Sequence, residues 1–345
     1  MKPLRIIAVA IAMAAIPFAA SALEVKEGLV KLVASESTGR VSVYKLIDVA
    51  KGKYEPLIFD TDPRTSVVTL SADGRQVKLG DSSEYRFQVS RTDGGIRIEY
   101  RSASCVVRQS YDFAKSANQA LADGVRVSFE LENVSERESM LGLRVLIDTW
   151  LGEKSGVHFR TASLQRISAE TELRPSGGDT WVATPGERAS FMVQFAGDGL
   201  DGPDEVLLSN WKRLADAPWG YDANPQRNFT LIPYSINDSA IALYWEPIAV
   251  SRGGTRKVSF TMGSLNEEGY RAPDGKTKTE EIFAATVLAT GSPDAATSLA
   301  ADLVAVRDLV SRIDRAMTAG GTISDDELAA WKKILDRLEE RKKGY

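Results

Sequence analysis

Between residues 24 and 292, apolar and polar residues alternate in one short run after another. Residues 40–49 (RVSVYKLIDV) read this way, as do RQVKLG, EYRFQVS, IRIEY and VRVSFEL. A period of two sends successive side chains to opposite faces, so each run predicts a strand with one buried face. Turn signals punctuate the runs: Asp73-Gly74, TDGG at 92–95, Asp123-Gly124, PSGGD at 175–179 and SRGG at 251–254. Roughly fifteen strands are expected, more than one immunoglobulin-sized sandwich uses. No fixed repeat of the kind a propeller shows is visible. The expected fold is mainly β, a large antiparallel β-sandwich of the two-sheet supersandwich kind, over residues 23–291.

The pattern breaks at residues 210–228 (NWKRLADAPWGYDANPQRN), the longest irregular segment of the sandwich. Ordered loops of that length are disproportionately functional. The pattern changes again after Gly291. Ser292 can cap a helix with Pro293 at its first position. Leu299, Leu303, Val306, Val310, Ile313 and Met317 then step by four and three residues, which makes a narrow apolar seam of coiled-coil type. Gly320-Gly321 ends that helix, and Ser324 with Glu327 forms a capping box for the next. Leu328, Trp331, Leu335 and Leu338 give a second seam. Residues 292–345 are therefore expected to form a C-terminal α-helical hairpin, with arms over 293–319 and 325–342. Docking on its own sandwich is the ordinary fate of such a hairpin. A narrow seam also suits a helix of another protein, or of a second copy, and the residues for that contact would be Leu303, Val306, Val310, Ile313, Trp331 and Leu335.

The first 22 residues predict an address. Lys2 and Arg5 precede an apolar stretch over 6–20, and Ala20-Ser21-Ala22 supplies small residues for cleavage, as in a secretory signal peptide. The stretch is too short and too early for a membrane anchor, and no later one approaches the length of a span. No cysteine follows the cleavage position, so no lipid anchor is expected. The chain is thus expected to be exported, to the bacterial periplasm or beyond, and soluble after cleavage. Its net charge is −4 over the whole sequence, which argues against nucleic acid as a partner. Cys105 is the single cysteine, so no internal disulfide can form. In a strand-like run it reads as core filler, because free cysteine is among the most buried residue types.

Few residues offer chemistry. His158, the only histidine, could act as acid with Glu246 of LYWEPIAV as base, as in a sugar epimerase built on a sandwich. Enzymes of that type use a second histidine, which this chain lacks, so no catalytic residue is assigned. Trp211, Trp219 and Tyr221 of the long loop could stack on sugar rings, although most large aromatics are packing. Asp60 and Asp62 in FDTDPR, and Asp198, Asp201, Asp204 and Glu205 in GDGLDGPDE, are acidic turns whose oxygens would suit calcium. Neither has the spacing of a calcium loop, so no metal site and no cofactor is assigned. One histidine and one cysteine cannot build a usual zinc site.

Three stretches carry a resemblance: GLRVLIDTWLGEKSGVHF, NWKRLADAPWGYDANPQRNF and SAIALYWEPIAVSRGGTRKVSF. In that order they resemble a family of exported bacterial β-sandwich domains with no established activity. The matching residues are Ile147, Asp148, Thr149, Leu151, Gly152, Gly156 and Phe159, then Trp211 and Trp219, then 242–245 and Pro247. The resemblance spans roughly residues 120–262 and leaves out the hairpin. It implies an envelope location and a sandwich, of the galactose-mutarotase-like supersandwich kind, but no catalytic residue. Where that family often has an acidic NDGAPF-like turn, this chain has EKSGVHF. Asp148 and Thr149 are expected to organise the turn through bonds to nearby backbone, with His158 on the rim. Two functions follow as expectations. One is a non-enzymatic scaffold of an envelope assembly that binds a partner through the hairpin. The other is a carbohydrate-binding module or degenerate aldose-epimerase-like protein.

Overall fold

The computed structural model describes residues 22–116, 119, 121–197, 199–230, 238–271, 302, 306, 309, 310, 313 and 325–342. Seventeen strands lie among them. In chain order they are β1 (Ala22–Glu27), β2 (Val30–Ser35), β3 (Val41–Asp48), β4 (Lys53–Pro56), β5 (Val67–Ala72), β6 (Arg75–Lys78), β7 (Arg86–Arg91), β8 (Gly95–Arg101) and β9 (Cys105–Ala114). They continue as β10 (Gly124–Asn133), β11 (Ser139–Thr149), β12 (Thr171–Leu173), β13 (Trp181–Thr184), β14 (Phe191–Gln194), β15 (Glu205–Ser209), β16 (Ser239–Val250) and β17 (Thr255–Ser264). Three helices accompany them: α1 (Leu151–Ser155), α2 (Trp211–Asp216) and α3 (Asp325–Lys342).

The strands form three antiparallel sheets in the orders β1-β2-β3-β4, β13-β14-β17-β10-β9-β8-β7 and β12-β15-β16-β11-β5-β6. The protein is mainly β, an antiparallel sandwich as the alternation predicts. There are three sheets among the described residues, where two were expected. One apolar core joins them, with Leu32 and Val43 from the first, Phe129 and Phe260 from the second, and Leu143, Val145 and Trp245 from the third. β10 shows the half-buried alternation in full, inward Val125, Val127, Phe129 and Leu131 against outward Arg126, Ser128 and Glu130. β11 is different. All its residues except Met140 are buried, because a second layer covers its outer face. A strand buried on both sides reads as a near-continuous apolar run, which is why LGLRVLI does not alternate.

The turn signals divide by role. Asp73-Gly74 closes the β5–β6 hairpin with both residues at positive φ, as a two-residue turn of this hand requires. By contrast, 251–254 carries the chain from the third sheet to the second, since β16 and β17 belong to different sheets. Gly142 marks a bulge where the β11–β16 register shifts. A Cβ there would meet Pro247 and the Trp245 carbonyl at 2.9 Å, so only glycine fits.

Of the hairpin, the arm expected over 325–342 is α3, Asp325–Lys342. The first arm lies outside the described residues apart from five helical positions, Asp302, Val306, Leu309, Val310 and Ile313. Its caps and Leu303 lie outside them too, as do residues 1–21 of the expected signal peptide. Among the described residues no helix is long and apolar enough to cross a membrane.

Candidate functional site

The second layer over the third sheet is the irregular segment 210–228. Asn210 opens α2 by accepting the backbone N–H of Lys212 through its side chain, the usual N-cap arrangement. Trp211, Leu214, Ala215, Trp219, Tyr221 and Ala223 then pack on Val67, Leu146, Leu207, Ala240 and Ala242 of the sheet. Two anchors hold this roof. Trp211 donates its indole N–H to the carbonyl of Thr65 at 2.9 Å. Glu170, 1 % exposed, accepts from the Ser209 hydroxyl, the Arg213 guanidinium, the Tyr221 hydroxyl and the backbone N–H of Asn224, all within 2.9 Å.

Beneath the roof runs one row of directly opposed residues: Lys78, Thr69, Arg144, Tyr244 and Glu205, from β6 across to β15. Opposed residues of neighbouring strands share a face, so all five point outward under or beside the roof. Arg144 is 1 % exposed. Its Nη1 donates to the carbonyls of Ala217 at 2.8 Å and Trp219 at 3.1 Å. Its Nε donates to nothing, and no carboxylate lies within ion-pairing distance among the described residues. Thr69 Oγ1 and Trp219 Nε1 are likewise buried without a hydrogen-bond partner among the described residues. The Tyr244 ring lies 6.0 Å from the Arg144 guanidinium and meets Trp219 edge-on at 6.0 Å. Burial pushes the Tyr244 hydroxyl up from its ordinary value, and the Arg144 charge together with a side-chain hydrogen bond to it partly offsets this. Buried polar atoms without partners are uncommon, and here Thr69 and Arg144 carry two on one row, with Trp219 Nε1 above them.

The same face has a second polar end. Asp148 lies four residues along β11 from Arg144, roughly 13 Å at strand rise. Burial pushes its carboxyl up to about 8, and the charges of Asp238, Glu153 and Asp62 add to this against a hydrogen bond from Thr65. Glu153 in α1 is pushed up to about 7, again chiefly by burial, against bonds from the Ser239 N–H and hydroxyl. At neutral pH Asp148 therefore keeps its proton. Thr149 donates to the Ser239 carbonyl across the strand pair at 2.7 Å. Gly152 makes the α1 turn possible, because a Cβ there would lie 2.4 Å from the His158 carbonyl.

His158 is not on a rim. It is 6 % exposed, packs on Phe229 at 4.6 Å and leaves Nδ1 without a partner. Burial and the charge of Arg166 hold its pKa below the ordinary value, so the ring is neutral. Glu246 is exposed at the Gly142 end of β11, while His158 lies beyond the Thr149 end. At roughly 3.3 Å per residue the two strand ends stand on the order of 20 Å apart, too far for an acid–base pair. The loop aromatics are brought together, but as packing: Trp211 and Tyr221 are tied down by hydrogen bonds, and Trp219 is the one with an unpaired N–H. Of the acidic turns, Asp62 caps a short turn and pairs with Arg64, and Asp204 accepts the Glu246 N–H. Asp198 lies outside the described residues. Among the described residues no three His, Cys, Asp or Glu side chains gather as a metal site needs. Cys105 is buried, and its thiol is pushed up to about 12 by burial.

No protein-family model matches the chain. No curated protein is a significant match. Solved structures with a similar strand layout include a galactose mutarotase-like protein from Lactobacillus casei, at 9 % identity and a TM-score of 0.43, covering 71 % of this chain and 100 % of that one. A putative aldose 1-epimerase from Escherichia coli K12 is similar at 11 % identity and a TM-score of 0.43, covering 71 % and 99 %. A TPR-domain containing protein from Parabacteroides distasonis is similar over 94 % of this chain and 69 % of its own, at 9 % identity and a TM-score of 0.43. Likeness of this degree assigns no residue a role.

Sequence reasoning passed over Arg144, Thr69 and Glu170, and met Tyr244 only within the matching stretch 242–245. A signal existed for Arg144, since one arginine inside the apolar run LGLRVLI has to find acceptors or water. Its neighbours come from β5 and β16, and register across a sheet is not readable from one strand.

An interior cavity of about 40 Å³ lies between the sheets, lined in part by Arg40, Gln109, Tyr111, Ile147 and Phe260. Gln109 Oε1 and Arg40 Nε are buried there without partners. Roughly 10–15 Å³ accommodates one water, so this cavity suits a few waters and no larger ligand.

Proposed function

We propose that the chain is an exported binding protein without catalytic activity, and that it holds a carbohydrate-type ligand on the roofed face of its third sheet. The observation that carries this reading is the convergence of Thr69, Arg144 and Trp219, three buried polar groups with unmet hydrogen-bonding capacity, with the Tyr244 ring edge-on to Trp219 beside them. Hydroxyl, guanidinium and indole N–H groups are what a polyhydroxylated ring needs, and aromatic faces pack on its C–H groups. The separation of His158 from Glu246 supports binding over turnover. Glycan-array binding that is lost in Trp219→Ala and Tyr244→Phe, both still folded by circular dichroism, is the expected result. Binding unchanged in both variants would remove the face from consideration.

A second reading is favoured by a different observation. Val306, Val310, Leu328 and Leu335 of the C-terminal helices are 37 %, 50 %, 58 % and 44 % exposed. Leu309 and Ile334 are buried instead, which supports Val306, Val310 and Leu335 of the expected seam as the residues free to meet a partner. Trp331 and Ile313 are half-buried. An envelope partner or a second copy bound through Val306, Val310 and Leu335 would cover it. Val310→Glu with Leu335→Glu in the full chain should then abolish self-association in sedimentation or partner cross-linking in cells. Unchanged profiles would discard this reading.

A further inference from the structure

Among the described residues the Arg144 guanidinium has no carboxylate within ion-pairing distance, and its Nε is buried without a partner. Burying an unpaired charge costs far more than two carbonyl contacts return, so the site is out of balance as it stands. What covers it is small. Ala217, Pro218, Trp219 and Gly220 form a strip between two anchored points, α2 on one side and Tyr221 with Asn224 on the other. The carbonyls of Ala217 and Trp219 are held by Arg144, and residues 218–220 make no other hydrogen bond among the described residues. Gly220 faces open space. A ligand reaches the guanidinium only if this strip rises, which also lifts Trp219 from the sheet residues and the Tyr244 ring that it packs on.

We propose that the ligand of this face carries a carboxylate, that the sugar class is therefore acidic, a uronate, and that Arg144 receives the carboxylate in place of the Ala217 and Trp219 carbonyls. This rests on the reading of the roofed face as a carbohydrate site. Once the two carbonyls leave Nη1, the planar guanidinium can meet a carboxylate end-on through two parallel hydrogen bonds from Nη1 and Nη2. Charge selects the anion. Arg144 brings one positive charge, which a carboxylate balances. A phosphate monoester carries close to two negative charges, and the same row ends in the half-buried carboxyl of Glu205. Burial and neighbouring Glu172 push Glu205 up from its ordinary value, which is the mark of surroundings that resist more negative charge. Thr69 and Tyr244 flank Arg144 on either side and present hydroxyls to the ring, with Trp219 moving as the strip moves.

The test uses the mature protein and six sugars: glucose, glucuronate and glucose 6-phosphate, and the matching galactose set. Members of each set differ only at C6. Affinities are measured by calorimetry, and strip movement by tryptophan fluorescence. At least one uronate should bind about tenfold or more tightly than both its neutral parent and its phosphate. That preference should weaken with salt, disappear in Arg144→Met and shrink in Arg144→Lys. The fluorescence change should vanish in Trp219→Phe, a variant that keeps Arg144 and guards against misfolding of the arginine variants. Equal binding of neutral sugar and uronate would overturn the carboxylate and leave the binding reading standing. A preference for phosphate would also overturn it. Uronate preference surviving in Arg144→Met would overturn the role of Arg144. Absence of binding by all six at millimolar concentration would overturn both readings together.

Discussion

Asp148 holds its proton well into the neutral range because it is buried at the end of β11, beside the charges of Asp238, Glu153 and Asp62. The consequence for stability has a definite sign. The unfolded chain releases this proton near the ordinary aspartate value of 3.8 and the folded chain at about 8. The contribution is therefore complete below the lower value, falls as pH rises between the two, and is lost above the upper one. Asp148→Asn removes that slope. Relative to wild type, its unfolding free energy should rise from pH 4 to pH 8 by up to about 1.4 kcal/mol per pH unit. Denaturant titrations of both proteins at matched pH check this, and a constant difference would reject it. The subtraction also cancels His158, whose lowered pKa gives the opposite trend and acts below the ordinary histidine value of 6.5. Asp148 was singled out in the sequence as a turn organiser, yet nothing local reveals its protonation. That depends on Asp62, Glu153 and Asp238, which the fold gathers from three separate places in the chain.

At the scale of elements, the roof is held by Glu170 more than by its own sequence. This carboxylate gathers four donors from β15, α2 and the loop after it. Charge-assisted bonds of this kind contribute more than neutral ones. Glu170→Gln keeps the shape and removes the charge, so it should cost about 2–3 kcal/mol by urea unfolding. It should also raise the accessibility of Trp219 to acrylamide quenching, while β11 keeps its amide protection. A variant as stable as wild type would show that the roof is held by apolar packing alone. Strands were legible in the sequence wherever one face meets water, as in β10. They were harder to read in β11 and β16, where both faces are covered and alternation disappears. The segment 210–228 was recognisable as irregular. Its aromatics suggested a platform, but the structure turns them inward as a roof. Glu170, in the polar-looking stretch RISAETEL, gives no sign in sequence of being a buried anchor.

At the scale of the whole molecule, three sheets share one apolar core, and the single cysteine, Cys105, is buried within it. If residues 1–22 are removed as proposed, the mature protein should begin at Leu23, one residue into β1, and intact-mass measurement of the periplasmic protein decides it. A start elsewhere, or retention of the segment, would change the proposed location. The strip over Arg144 bears on how such a protein would behave at work. Its own carbonyls occupy the guanidinium first, so any ligand competes with the chain itself. The observed dissociation constant is then the intrinsic one divided by the fraction of molecules with the strip raised. The protein would be deaf to traces and responsive to abundance, with a threshold set by a four-residue strip and adjustable without altering a single ligand contact.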